Sequence, residues 1–260
     1  MSDPLRFFVP PESLLSDQVT ISDDVHHHLH NVLRTRLGSV LTLLDGQGHC
    51  CEVELVAINK GDASARVIRR WRDEEHTLPI TLIQGLPKAD KFDLILQKGT
   101  ELGVRCFQPV ETANAVPQVN AARMVKREQR WKRIATEAAR QCRRSFLPQI
   151  KPVQKLVEAI NEQTDDLKLV LWEAGSMPLA EALPVEKPSG VKLLVGPEGG
   201  FTEQEINHIL DTGFRAVHLG PRILRTETAS LAAAPVLQYL YGDWRQAPAC
   251  EEPNQLEEKT

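Results

Sequence analysis

Two short segments place charge where an apolar run stops and a helix pattern begins. In "VKLLVGPEGGFTEQE" the run ends at Gly196-Pro197, and Glu198 follows at once. In "FRAVHLGPRILRTETAS" it ends at Gly220-Pro221, with Arg222, Arg225 and Glu227 close behind. Glycine lets backbone approach a ligand closely, and proline fixes the turn while donating no N–H. The rim so built offers carbonyls and the amides of following residues, which suits an adenine edge. Phosphate fits it poorly, because no Gly-Lys-Ser/Thr follows and Glu198 would repel an anion. "GPEGG" is also not the Gly-x-Gly-x-x-Gly of a nicotinamide dinucleotide loop. A carboxylate beside the loop tolerates a cationic ligand instead. One Gly-Pro is explained equally well by a tight turn, but two at matching places favour a site.

The elements that must hold these loops read as a series of strands and helices. "LPITLIQGL", "CFQPV", "LKLVLWE", "VKLLV" and "FRAVHL" are short, largely apolar runs, as expected of parallel strands buried on both faces. Helical spacing separates them in "KADKFDLILQKGTELGV", "KREQRWKRIATEAARQC" and "TEQEINHIL". Thr202 with Glu205 predicts a capping box, and Thr226 or Thr228 is placed to cap the last helix. Residues 78–245 are therefore expected to form an α/β domain, whose ligand site lies beyond the carboxyl ends of its strands. Residues 1–72 read as several short strands with tight turns and one helix opening after Ser22, a small β-barrel. Residues 73–77 read as a linker and 246–260 as an acidic, frayed tail.

The 260 residues carry 42% hydrophobic and 25% charged side chains, ordinary for a globular chain with a real core. No apolar run reaches the roughly 18 residues of a membrane helix, and "MSDPLRFFVPPE" lacks a signal peptide's apolar stretch. Five cysteines without C-x-x-C spacing argue for a reducing cytoplasm and against a zinc ribbon. His26 and His30 stand at i,i+4, but no carboxylate follows at a metal site's usual spacing, so no metal is expected. The net charge of −4 hides a local excess: Ala122 to Arg144 holds nine Lys/Arg against Glu128 and Glu137. On a helix, Lys126, Arg130, Arg133, Arg140 and Arg144 fall opposite Trp131, Ile134, Ala135, Ala138 and Cys142. Such a stripe could track an RNA backbone or simply be a solvated face.

Four segments in order, "QGLPKADKFDLILQKGTELGV", "RWKRIATEAARQC", "LLVGPEGGFTEQE" and "LGPRILRTETA", resemble the RsmE family. These are SPOUT-superfamily methyltransferases acting on N3 of a uridine in small-subunit ribosomal RNA. The resemblance runs from about Arg6 to Tyr241 and includes "HHLHNVLRTRLG". It implies a PUA-like N-terminal barrel, a C-terminal α/β domain threaded as a trefoil knot, a homodimer, and S-adenosylmethionine as methyl donor. By motif, the cofactor pocket would take Leu171, Trp172 and Glu173 after one strand. Gly196, Pro197, Glu198 and Gly200 would follow the next, and Leu219, Gly220, Ile223, Leu224, Arg225 and Thr226 the last.

Uridine N3 is a poor nucleophile until its proton leaves, so a carboxylate within reach would serve as base, and Glu198 and Glu227 are the candidates. Arg225 would orient the base or stabilise charge on its carbonyl oxygens. The partner would be 16S ribosomal RNA of the 30S subunit. Arg34, Arg36, Lys88, Lys91, Lys98, Arg130, Arg133, Arg140 and Arg144 are the phosphate candidates. Two readings compete: a ribose 2′-hydroxyl methyltransferase, whose early Asn-x-Gly-x-x-x-Arg pattern is missing here, and a non-catalytic RNA-binding module. Two departures from the family pattern stand out: "TANAVPQVN" after "CFQPVE", and Arg143 in place of a glycine after "QC".

Overall fold

The computed structural model describes residues 4–29, 35–114, 121–162, 164, 166–174 and 176–245, without the side chains of 23, 24 and 121–123. The sequence-read tail at 246–260, Arg34 and His30 lie outside these.

The N-terminal unit is a five-stranded sheet of β1 (Leu5–Phe8), β2 (Gln18–Ile21), β3 (Val40–Leu44), β4 (His49–Ile58) and β5 (Ala63–Arg72), in the order β1-β3-β4-β5-β2. Only β1 and β3 run parallel. Alternation in the strands sends Phe7, Val19, Ile21, Leu41, Leu43, Val53, Leu55 and Ala65 into one core, closed by Leu14 and by Leu29 beyond the short helix α1 (Asp23–His27). The edges β1 and β2 are not paired with each other, so the expected barrel is partly open.

The C-terminal unit is an all-parallel sheet. Its strands are β6 (Ile80–Gly85), β7 (Cys106–Glu111), β8 (Gln149–Ile150), β9 (Gln154–Lys155), β10 (Leu167–Leu171), β11 (Met177–Pro178), β12 (Val191–Val195) and β13 (Arg215–His218). They lie in the order β11-β13-β10-β12-β6-β7-β8, with β9 also on β7. Burial on both faces explains the continuous apolar runs. In β12, Val191, Leu193 and Val195 enter one core, and Leu194 enters the other. Helices α2 (Lys91–Glu101), α3 (Ala121–Gln141) and α7 (Thr226–Tyr241) contribute to the first layer. Helices α4 (Leu156–Ile160) and α6 (Glu203–Asp211) contribute to the second, and α5 (Leu179–Ala182) sits near β11 and β13. Trp131 of α3 meets Phe92 of α2 edge-on at 4.6 Å, as the apolar face of α3 requires.

The Thr202–Glu205 capping box is present, with Glu205 N donating to Thr202 Oγ1 at 3.2 Å. The last helix departs from expectation. Its N-cap is Arg225, with no side-chain cap, and Thr226 is the first helical residue. Helix α3 stops at Gln141, so Arg144 falls beyond it rather than on its basic face. Residues 73–77 are no free tether, since Asp73 accepts from Ser145 and Glu75 pairs with Arg144. A groove of about 980 Å³ runs between the two units here, where Glu75 pairs with Arg144 and the Ser145 hydroxyl bridges Arg6 and Asp73. Cys50, Cys51, Cys106 and Cys142 are free thiols, and burial pushes Cys50 up to about 11.

Candidate functional site: a cleft at three strand ends

Strand β10 lies between β12 and β13, so successive strands leave to both sides of it, the arrangement at which open α/β sheets hold ligands. Beyond the carboxyl ends of these three strands is a cleft of about 720 Å³. All thirteen residues expected to contact a cofactor line it: Leu171, Trp172, Glu173, Gly196, Pro197, Glu198, Gly200, Leu219, Gly220, Ile223, Leu224, Arg225 and Thr226.

A buried polar lattice fixes the rim. Gln84 of β6 is fully buried and donates through Nε2 to Thr226 Oγ1 at 2.9 Å and to Gly85 O at 3.0 Å. Thr226 Oγ1 donates in turn to Gly196 O at 2.5 Å, and Ser230 Oγ donates to Gln84 Oε1 at 2.5 Å. The first Gly-Pro loop is thus tied to the start of α7, which is what occupies Thr226 instead of capping. Behind the loop, a Cβ on Gly85 would stand 2.6 Å from Pro197 Cδ and 2.8 Å from Pro197 N. Only glycine lets β6 and this loop come so close. In the second loop Gly220 takes a φ of +105°, open to glycine alone, and its N–H donates to His218 Nδ1 at 3.1 Å.

The cleft lacks the Gly-Lys-Ser/Thr of a phosphate loop, and its lining mixes Lys91, Arg222 and Arg225 with two carboxylates. Glu173 and Glu198 stand at the rim. Ile223 is 82% exposed and, with Leu171 and Leu224, offers an apolar wall with room for a base. The volume lies within the usual range of small-molecule sites. Beside the rim, Lys91 of α2 lies 2.8 Å from Glu198 Oε1 and 3.4 Å from Glu227 Oε2. Burial alone would raise Glu198, but the Lys91 ammonium and the amides of Glu198 and Lys88 outweigh it and hold the carboxyl below its usual range. Lys91 itself is raised by its bond to Glu198. Glu227 is 13% exposed, and among the described residues its Oε2 has no hydrogen-bond donor. Arg225 is exposed on the cleft wall and, among the described residues, carries no carboxylate partner.

Residues 74–238 match the family of RNA methyltransferase domains, and residues 21–68 match the RNA methyltransferase PUA domain. The chain is 35% identical over 229 residues to the ribosomal RNA small subunit methyltransferase E of Bacillus subtilis, covering 85% of this chain and 89% of that protein. It is 33% identical over 237 residues to the Mycobacterium tuberculosis protein of the same name, covering 89% and 90%. The chain belongs to the ribosomal RNA small subunit methyltransferase E family. Its fold superposes on the crystal structure of the Neisseria gonorrhoeae member bound to S-adenosyl methionine, with a TM-score of 0.85 and 37% identity over 93% of this chain and 99% of that one. A Legionella pneumophila putative methyltransferase with bound cofactor SAM gives 0.84 and 32%, covering 92% and 98%.

Against the family pattern, the two departures acquire physical meaning. Asn114, in the divergent segment, donates from Nδ2 to Gly199 O at 3.0 Å, so this segment braces the first Gly-Pro loop rather than lying apart from it. The stretch 115–120 is outside the described residues. Arg143 takes a φ of +64° at the end of α3. Arg144 N donates to Ala139 O and Arg143 N to Arg140 O, the paired bonds of a Schellman cap, whose left-handed position favours glycine.

The expected phosphate ligands are scattered in kind. Arg36, Lys88 and Arg133 are exposed. Lys98 pairs with Glu101 at 2.9 Å, Arg130 with Asp93 at 2.7 Å, and Arg140 with Glu137 at 2.5 Å. Arg144 is 12% exposed, pairs with Glu75, and donates to Thr100 O at 2.9 Å and Val104 O at 3.0 Å, which is a structural position. Lys91 belongs to the cleft. Sequence reasoning missed that, along with Phe201, His218 and Arg222, which also line it. For His218 and Arg222 a signal existed, since they flank Gly220-Pro221. For Lys91 none did.

Proposed function

We propose that this chain transfers a methyl group from S-adenosylmethionine to N3 of one uridine in the 16S RNA of the small ribosomal subunit. What carries the reading is the cleft at the ends of β10, β12 and β13, walled by the family's motifs and free of a phosphate cradle. The donor, when bound, supplies an electrophilic methyl carbon, with neutral thioether as the leaving group. The chain's part is to hold N3 in line with that carbon and to take its proton, so that positioning provides much of the acceleration. Backbone of the two Gly-Pro loops, with Leu171, Leu219, Ile223 and Leu224, would grip the adenine end. Trp172, Glu173, Gly200 and Thr226 would complete the wall.

Arg225 would face the uridine carbonyl oxygens, since its guanidinium has no carboxylate to satisfy among the described residues. Of the two candidate bases, Glu227 suits the task better, because Glu198 already accepts from Lys91 and Lys88. On the RNA side, Arg36, Lys88 and Arg133 would meet phosphates directly. Lys98, Arg130 and Arg140 would have to exchange a carboxylate first. We further propose residues 1–72 as an RNA-gripping unit joined through 73–77 to a catalytic unit over 78–245. The link from β12 to β13, which passes β10, would thread the knot that the resemblance implies. Exposed Val236, Tyr239, Leu240 and Trp244 near the end of α7 would supply a homodimer face, and the free thiols accord with the cytoplasm.

The test is mass spectrometry of 16S RNA from a strain lacking this chain. One 3-methyluridine should vanish and return on complementation. An unchanged spectrum, or loss of a ribose methyl instead, would refute the assignment.

A further inference from the structure

We propose that Lys91 is a positioning residue of the transfer reaction, clamping Glu198 of the first Gly-Pro loop to Glu227 of α7, and is not an RNA-phosphate contact. The inference rests on the methyltransferase reading above and deepens it.

The geometry is specific. Lys91 opens α2, where the helix dipole disfavours a cation. Asp90 at the N-cap makes no side-chain capping bond. Asp93 in the first turn is taken up by Arg130, and the carboxylate that meets Lys91 comes from 107 residues away. Glu198 Oε1 accepts from Lys88 N at 3.1 Å and meets Lys91 Nζ at 2.8 Å. Between the two donors Ala89 adopts a φ of +54°, a left-handed backbone that a β-carbon disfavours. The turn is bent against its own preference, and the bend brings both donors onto one carboxylate. The same ammonium then reaches Glu227 Oε2 at 3.4 Å, an oxygen with less than 1 Å² of exposed surface and no hydrogen bond.

One cation thus treats two carboxylates unequally. Glu198 is held tightly and has its acceptor sites filled by an amide and an ammonium. Its work is to pin the loop that shapes the cleft. Glu227 is kept beside the cleft with its buried Oε2 turned to Lys91 and its other carboxylate oxygen left to accept. In the transfer step the N3 proton passes to that second oxygen, the N3 electron pair forms the bond to the methyl carbon, and the methyl–sulfur bond breaks to leave the neutral thioether. Lys91 stays protonated throughout, because Glu198 raises it.

A phosphate contact and a clamp make opposite predictions for Lys91→Met and Lys91→Arg. The measurements are single-turnover methylation of small-subunit RNA lacking the modification, RNA affinity across a salt series, and S-adenosylmethionine affinity by calorimetry. For a clamp, Lys91→Met lowers the rate at saturating RNA by at least ~10-fold, within the range of a proton-transfer contribution. Its RNA affinity and salt slope stay unchanged, and Lys91→Arg, which can still bridge two carboxylates, recovers most of the rate. A salt slope reduced by about 1 with an unchanged saturated rate would overturn the proposal in favour of a phosphate contact. A wild-type rate in Lys91→Met, with unaltered RNA binding, would overturn it too. Lys91 is partly exposed, and calorimetry on each variant reports whether the cleft is still formed. Wild-type protein that neither binds the donor nor methylates would sink the methyltransferase reading itself, a separate failure from any of these.

Discussion

In the cleft, the rim is tied to strand β6 and helix α7 by buried hydrogen bonds, whereas along and just beyond α3 several cations rest on carboxylates of their own chain. The rim at Gly196 is held by Thr226 and Gln84 through buried bonds of 2.5 and 2.9 Å. By contrast Arg130 and Arg140 lean on Asp93 and Glu137, and Arg144 is drawn inward to Glu75. A backbone-built site is ready before its ligand arrives. A basic face of long side chains must first give up internal partners, and each exposed pair so broken is worth only about 0–1 kcal/mol. The two regions therefore differ in readiness rather than in charge.

The sharpest way to break this contrast is to treat Arg144 as the RNA ligand its neighbours suggest. Arg144→Ala should lower global stability by about 3 kcal/mol, because Glu75 would be left buried and unpaired. For a chain of this size that is a fall of roughly 6–12 °C in melting temperature. Calorimetry would register it, while the salt slope of RNA binding should not change. A stable variant with weakened RNA binding would return Arg144 to the RNA face.

Next in size is the cleft itself. Gly85→Ala drives a β-carbon into Pro197 and must push the first loop outward. Overpacking of this kind costs about 1–3 kcal/mol. Donor affinity should fall on the order of 100-fold, about 2.7 kcal/mol. Circular dichroism should show the fold retained. Wild-type affinity would mean that the rim is softer than its hydrogen bonds suggest.

A smaller effect sharpens the other side. Arg133 is exposed and has no carboxylate partner among the described residues. Arg133→Ala should weaken RNA binding about equally for different sequences and lower the salt slope by about 1. Arg130→Ala should do less, because its cation already neutralises Asp93. Filter binding across a salt series separates the two.

These regions also differ in how far the sequence revealed them. The cleft was legible because glycine and proline act on the backbone at their own positions, and strand ends bring such loops together by topology alone. The curved N-terminal sheet was legible from its alternation, although its open edges were not, since pairing depends on how far the sheet curls. The two-residue strands β8, β9 and β11 are too short for any period to register. The ion pairs of Lys91 were not legible, because pairing across 107 residues leaves no trace in spacing; next to Lys88 it reads as one more surface cation. Arg144 was misread because helical phase was extended past Gln141, where the chain leaves the helix.

Where the chain leaves that helix, the smallest effect tests whether the departure from glycine matters. Arg143 sits in the left-handed position of the cap, at a φ of +64°, which costs a residue bearing a β-carbon roughly 1 kcal/mol relative to glycine. Its side chain also lines the groove between the two units, so Arg143→Gly alone would mix backbone relief with lost contacts. Arg143→Ala removes the same contacts and keeps the strained backbone, so the difference between the two variants isolates the turn. Arg143→Gly should melt about 2–4 °C above Arg143→Ala. If wild type melts above both, the guanidinium more than offsets the strain, and this arginine is a brace between the units. If wild type falls between them, the glycine of the family pattern is the better cap, and the arginine adds only part of what its backbone costs.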